Sequence, residues 1–143
     1  MSRSESDLLL LDTHVWIWLM SESARLASSK SLQVIQRASK LGSLRIAAIS
    51  AWEVGMLEAK NRISFPIPCL DWVNQALNAP GVSLVPLLPE IAIESSRLPG
   101  TFHGDPADRI LVASARKLGA HLVTDDSKIK KYGKDGHLQV IPV

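Results

Sequence analysis

With 143 residues, 46% of them hydrophobic and 21% charged, the chain can bury one sizeable core. Its net charge of +2 is compatible with nucleic acid as a partner but too small to indicate one, and its single cysteine excludes an intrachain disulfide. No apolar run reaches the roughly 18 residues of a membrane span, and no signal-peptide cleavage pattern is present. We therefore expect a cytoplasmic protein with a flexible N-terminus, residues 1–7, and a single domain, residues 8–143.

Short apolar runs alternate along the chain with longer segments of helical spacing. In chain order, we predict a strand at 8–11, helices at 13–20 and 24–41, a strand at 44–49, helices at 50–63 and 67–81, a strand at 82–88, helices at 89–100 and 105–119, a strand at 120–126, a short helix at 127–133 and a strand at 138–143. Gly42 and Gly119 are typical helix ends, and Pro106 suits a first turn. The alternation predicts an α/β fold with a central, mostly parallel β-sheet flanked by α-helices.

Acidic residues recur at predicted strand-to-helix junctions or at the starts of predicted helices. They are Asp12, Glu53, Asp105, Asp108, Asp125 and Asp126. The carboxyl ends of parallel strands lie at one edge of a sheet, which is where ligands bind in such folds. These side chains are therefore expected to lie close together.

Each carboxylate also has a purely structural interpretation. Asp12, Asp105 and Asp126 can cap the helices that follow them. Segment 50–53, SAWE, matches a capping box with Glu53 at the third helical position. Taken together, however, carboxylates at four junctions would concentrate negative charge at one edge, which is unfavourable unless a cation neutralises it. Oxygen ligands of this kind suit Mg²⁺ or Mn²⁺.

Carboxylate-held Mg²⁺ or Mn²⁺ can activate a water molecule for attack on a phosphodiester. The sequence has no G-x-S-x-G motif, Walker loop or G-x-G-x-x-G motif, and its four histidines lack the spacing of zinc ligands. His14 and His103 lie near the acidic junctions, where a structural role is favoured over a catalytic one.

Four segments, in this order, resemble a PIN domain, specifically a VapC-type toxin nuclease of a type II toxin–antitoxin pair. They are LLLLDTHVWIWL, ISAWEVGML, HGDPADRILVASARKLGAHLVTDD and VIPV. The resemblance implies a three-layer fold with an acidic pocket, metal-dependent endoribonuclease activity, a homodimer and neutralisation by a VapB-like antitoxin. It also implies that the metal is Mg²⁺ or Mn²⁺, held at a catalytic site by Asp12, Glu53, Asp108 and Asp126.

Other residues are expected to support this site. Asp105, an additional acid, could orient metal-bound waters or simply cap its helix, and Asp125 occupies a position that is often basic in the family. Thr13 and Thr124 are expected to hydrogen-bond the carboxylates or waters.

RNA contact is expected from basic residues near the acids, although a solvated helix face explains the lysines equally well. The candidates are Arg109, Lys128, Lys130 and Lys131. Trp16 and Trp52 are expected to pack in the core rather than to stack on bases.

Two alternatives remain open. The first is a catalytically silent PIN-like domain that serves binding or regulation, although retention of all four acids argues against it. The second is a phosphatase with Asp12 as the nucleophile, which would need a second acid where this chain has His14. Surfaces for the dimer and the antitoxin are expected among the helices between residues 14 and 78.

Overall fold

The computed structural model describes residues 7–143, so the expected flexible N-terminus lies, except for Asp7, outside the described residues. The described chain forms a five-stranded parallel sheet with helices on both faces. The strands are β1 (Leu9–Leu11), β2 (Leu44–Ala47), β3 (Val82–Val85), β4 (His121–Thr124) and β5 (Val140–Pro142). The helices are α1 (Thr13–Met20), α2 (Ala24–Ala27), α3 (Ser31–Lys40), α4 (Ala48–Ala59), α5 (Cys69–Leu77), α6 (Pro89–Glu94), α7 (Pro106–Leu118) and α8 (Ser127–Lys134). The predicted α/β class is confirmed.

The strand order β3-β2-β1-β4-β5 positions the site. Leu9 of β1 pairs with Leu44 of β2 on one side and with His121 of β4 on the other. Along the chain, β2 and β3 are therefore added on one side of β1, and β4 and β5 are then added on the other side. Such a reversal opens a crevice beyond the carboxyl ends of the two strands concerned, here β1 and β4.

Helices on both faces explain why β1 is an unbroken apolar run. Its three leucines are fully buried, and because alternate residues of a strand point to opposite faces, they enter two different cores. Leu10 packs with Leu111 and Ile129, from α7 and α8. Leu9 and Leu11 belong to the cluster formed by α1, α3, α4 and α5. No helix of residues 7–143 has the length and apolar character needed to cross a membrane.

The junction between β2 and α4 differs from the prediction. The strand ends at Ala47, and the helix begins at Ala48 without a side-chain cap, so both the strand extending to residue 49 and the capping box at 50–53 are wrong. Glu53 consequently lies in the second turn of α4. Ser50 and Val54 face inward with no exposed surface, whereas Trp52 is 57% exposed. The expected core role of Trp52 is therefore wrong, but that of Trp16, which is fully buried, is confirmed.

Candidate active site

A cleft of about 300 Å³ lies at the crevice between β1 and β4. It is lined by Asp12, His14, Val15, Trp18, Glu53, Asp108, Asp125 and Asp126. All four predicted metal-binding carboxylates therefore reach one cleft, from four different parts of the chain. His14 also lines it, and Asp105 does not.

Asp12 is held at the end of β1 by three hydrogen bonds. Its backbone N–H donates to the Val123 carbonyl of β4 over 2.9 Å. Its Oδ1 accepts from the Thr13 N–H over 2.7 Å, which caps α1, and its Oδ2 accepts from Thr124 Oγ1 over 2.6 Å. The fully buried Thr124 hydroxyl in turn accepts from the Asp126 N–H over 3.0 Å, so one threonine joins two of the acids.

Glu53 is held by Thr13 of α1, whose hydroxyl also contacts Ser50 of α4. Thr13 Oγ1 lies 2.7 Å from Glu53 Oε1, and because a carboxylate only accepts, the threonine is the donor. The same hydroxyl lies 2.8 Å from Ser50 Oγ, and both Thr13 and Ser50 are fully buried. Thr13 and Thr124, which were predicted to support the site, thus each donate a hydrogen bond to one of its carboxylates. The contact of Ser50 with Thr13 was not predicted from the sequence. The position of Ser50 three residues before Glu53, on the same helical face, was the available signal.

Two further acids cap the N-termini of helices. Asp126 Oδ1 caps α8 by accepting from the N–H groups of Lys128 and Ile129 over 2.8 and 3.0 Å. Asp105 Oδ1 caps α7 by accepting from the Asp108 N–H over 2.9 Å. Of the two roles considered for Asp105, the cap is therefore the one with a contact, and it also orients the first turn that carries Asp108.

Burial and mutual repulsion disfavour the ionised acids. Burial is the main reason why the pKa of Asp12 is raised, against the hydrogen bonds from Thr124 and Thr13. The pKa of Glu53 is also raised by burial, against the hydrogen bond from Thr13. For Asp108, burial and then the charges of the other acids raise the pKa to about 7. The cleft thus concentrates negative charge that its own hydrogen bonds compensate only in part.

The imidazole of His103 stands beside Asp108. Its Nε2 lies 3.1 Å from Asp108 Oδ2, although this contact does not have the geometry of a hydrogen bond. The ring also packs on Phe102 at 4.4 Å between centroids. His103 therefore forms a wall between Asp108 and the surface beyond the cleft.

Asp125 is neutralised by two basic side chains. It forms an ion pair with Arg25 of α2, and Lys130 Nζ lies 3.5 Å from its Oδ1. The Arg25 guanidinium also lies over the Trp18 ring, 5.0 Å from its centroid. Sequence reasoning missed Arg25, because no local pattern connects it with a residue 100 positions later.

Arg109 does not line the cleft, contrary to expectation. Its guanidinium donates to the carbonyls of Ser95, Phe102 and His103 over 2.8, 3.0 and 3.2 Å. These bonds fasten the loop before α7 to the end of α6. Its side chain is thus engaged with backbone carbonyls and does not line the acidic cleft.

Comparison with known proteins identifies the family. Residues 9–135 match the PIN domain. The chain belongs to the PIN domain family. It is 39% identical over 124 residues to Ribonuclease VapC22 of Mycobacterium tuberculosis, covering 87% of this chain and 91% of that protein.

Solved structures share the PIN fold of this chain. One is VapBC2 from Rickettsia felis bound to a DNA fragment from its promoter, with a TM-score of 0.67, 13% identity and coverage of 94% of this chain and 98% of that chain. Another is DNA-bound VapBC from Salmonella typhimurium, with a TM-score of 0.65, 15% identity and coverage of 95% and 98%. The predicted three-layer PIN-like fold is confirmed.

The chemistry of the PIN cleft fits a hard divalent cation. Its donors are carboxylate oxygens, and a cation would offset the repulsion that, after burial, raises the pKa of Asp108. Within residues 7–143, no three His, Cys, Asp or Glu side chains form a group placed to hold one ion directly. Mg²⁺ retains several waters and needs only one or two direct carboxylates, so this spacing is compatible with it.

Proposed function

We propose that this PIN domain is a metal-dependent endoribonuclease that hydrolyses RNA phosphodiester bonds and acts as a cytoplasmic toxin neutralised by a cognate VapB-like antitoxin. The main support for the proposal is that one cleft, beyond the carboxyl ends of β1 and β4, is lined by Asp12, Glu53, Asp108 and Asp126. The 39% identity to Ribonuclease VapC22 supports RNA as the substrate.

In the proposed mechanism these four carboxylates would hold Mg²⁺ or Mn²⁺, either directly or through metal-bound waters. When bound, the ion would supply an activated water and would neutralise charge on the phosphate. Thr124 keeps Asp12 oriented through the hydrogen bond to its Oδ2, and Thr13 does the same for Glu53 through its Oε1. Because the hydroxyls are buried, the carboxylates are already in place before substrate arrives.

The test compares the wild type with Asp12→Asn. The variant is expected to lose RNA cleavage in Mn²⁺ by at least about 100-fold and to lose the heat of Mn²⁺ binding, because the amide has one acceptor oxygen and no charge. Its circular dichroism and melting temperature should stay near those of the wild type, since relief of like-charge repulsion offsets one lost hydrogen bond. Asp71→Asn, exposed on α5, is the matched control. If Asp12→Asn cut RNA at the wild-type rate, the mechanism would be wrong.

A catalytically silent PIN domain is the second candidate. The observation that favours it is that no group of three potential ligands in residues 7–143 is placed to hold an ion directly. Calorimetric titration with Mn²⁺ separates the two: heat that Asp12→Asn abolishes supports the nuclease, and no binding at millimolar metal supports the silent domain.

The partners are proposed as a homodimer and a VapB-like antitoxin. The similar solved structures from Rickettsia felis and Salmonella typhimurium are VapBC proteins. Exposed apolar side chains that a partner could cover are Leu41, Trp52, Leu70, Leu84, Leu87, Leu88 and Ile93. The last four lie beyond the range 14–78 in which the interface was expected. Light scattering of the purified chain would test the dimer directly.

A further inference from the structure

A second cleft, of about 430 Å³, adjoins the acidic one. We call it the lysine cleft; the lining residues used below are Phe102, His103, Lys128, Lys131, Tyr132 and Asp135. Two contacts join the clefts. His103 Nε2 lies 3.1 Å from Asp108 Oδ2, and the Lys128 N–H donates to Asp126 Oδ1 over 2.8 Å. The lysine cleft therefore begins where the acidic cleft ends.

Three lysines of α8 lie beside one or the other cleft. Lys130 forms an ion pair with Asp125, which lines the acidic cleft. Lys128 and Lys131 line the lysine cleft instead. Lys131 Nζ lies 3.3 Å from Asp135 Oδ2, with both side chains exposed, so water screens this pair and a phosphate can displace it.

The wall of the lysine cleft is aromatic and firmly held. The half-buried ring of Phe102 packs against the His103 ring at 4.4 Å and the Tyr132 ring at 4.9 Å between centroids. Tyr132 is buried and its hydroxyl donates to the Pro99 carbonyl. Arg109 holds the backbone of this segment by donating hydrogen bonds to the carbonyls of Phe102 and His103. A partly exposed aromatic surface next to ammonium groups suits a base and its phosphate.

We propose that the lysine cleft is a subsite for single-stranded RNA, where one nucleotide next to the scissile phosphate stacks on Phe102 while its phosphate contacts Lys128 and Lys131. This inference rests on the proposed nuclease function, because the scissile phosphate is placed at the acidic cleft. It also gives Arg109 a role: Arg109 is a positioning residue that holds the stacking wall, rather than an RNA contact itself.

The binding test uses a fluorescein-labelled single-stranded RNA octamer of mixed sequence, titrated in EDTA so that cleavage does not interfere. Lys128→Gln is expected to weaken binding about 3- to 10-fold and to reduce the salt slope by about 0.7. Phe102→Leu is expected to weaken binding at least about 5-fold without changing that slope, because stacking releases no counterions. Lys134→Gln, exposed on the same helix but outside the cleft, should change affinity less than about twofold. Melting temperatures identify any variant that fails to fold.

Asp135→Asn provides the opposite test. It removes the partner of Lys131 and should tighten octamer binding about two- to threefold. Asp71→Asn changes the net charge equally from an exposed position on α5 outside both clefts, and should leave affinity unchanged.

Two results would overturn the subsite. One is that Lys128→Gln matches Lys134→Gln while Phe102→Leu binds normally, which means diffuse electrostatic attraction. The other is that a polyglutamate peptide binds with the same dependence on Phe102 and Lys128, which means a protein-docking surface. If the wild type cleaves RNA but these variants bind normally, the subsite fails and the nuclease stands. If the variants bind weakly but the wild type never cleaves, the nuclease fails and the RNA-binding cleft stands.

Discussion

At the scale of single residues, Thr124 links two parts of the site. Its hydroxyl donates to Asp12 Oδ2 and accepts from the Asp126 N–H, so both its hydrogen and a lone pair are used. The residue has no exposed surface, and water cannot replace either bond without a rearrangement. Thr124 therefore sets the relative position of two acids that come from opposite ends of the chain.

Thr124→Val should separate this role from simple packing. The valine keeps the shape but leaves Asp12 and the Asp126 N–H without their partner, so we expect Mn²⁺ affinity to fall about 10-fold and the free energy of unfolding to fall by about 1–2 kcal/mol. Calorimetry and urea denaturation measure the two effects. Thr124→Ser keeps the hydroxyl and should retain metal binding. Wild-type Mn²⁺ affinity in the valine variant would contradict the role.

Asp108 should make the metal-free protein less stable as the pH rises. Its pKa is raised from 3.8 to about 7 on folding. Between these two pH values the folded state binds more protons than the unfolded state, so the free energy of unfolding falls as the pH rises. In EDTA, Asp108→Asn should therefore gain stability relative to the wild type from pH 5 to 8, by about 1–2 kcal/mol after allowance for solvent screening. Urea denaturation at several pH values measures the difference. A difference that is constant over this range would show that Asp108 titrates normally.

At the scale of elements, local signals explain some helix boundaries and not others. The start of α7 has an Asp105 cap and Pro106 in its first turn, and its end has Gly119 at φ +65°. All three signals are visible in the sequence, and the boundaries were predicted almost to the residue. Ala47 before α4 offers no side-chain cap. In that helix the burial of Ser50 and Val54 shows which face packs inward, and this is a tertiary contact that no local signal reveals.

Gly81 and Gly42 form a matched pair that tests the packing of α3 against β3. Both have positive φ, +80° and +71°. A Cβ at Gly81 would lie 2.0 Å from the Ser39 carbonyl oxygen, whereas one at Gly42 would meet nothing within 4 Å. Gly42→Ala should cost about 1 kcal/mol of unfolding free energy through backbone strain, and Gly81→Ala about 2 kcal/mol more through the clash. Equal losses in urea denaturation would mean that the close approach is unimportant.

At the scale of the whole molecule, the site exists only in the folded chain. Asp12 and the Thr124 that holds it are 112 positions apart, and the sheet order brings β1 and β4 side by side. The unfolded chain cannot present these carboxylates together. A metal ion that binds at the cleft would therefore stabilise the native state.

Saturating Mn²⁺ should raise the melting temperature of the wild type. At 100 times the dissociation constant the stabilisation is about 2.7 kcal/mol. Thermal scans with and without Mn²⁺ measure the shift, and EDTA should reverse it. Asp12→Asn should show little or no shift. If Mn²⁺ raised both melting temperatures equally, it would be binding outside the acidic cleft.

The sequence by itself determined the alternation of buried strands and helices, and hence the α/β class, because strands covered on both faces must be continuous apolar runs. It also indicated four of the carboxylates that line the acidic cleft, Asp12, Glu53, Asp108 and Asp126. Only the tertiary structure decided the exposure of Trp52, the commitment of Arg109 to loop carbonyls and the pairing of Arg25 with Asp125. The reason is physical: spacing and caps are local signals, whereas the direction of a side chain depends on partners that the fold brings from far along the chain.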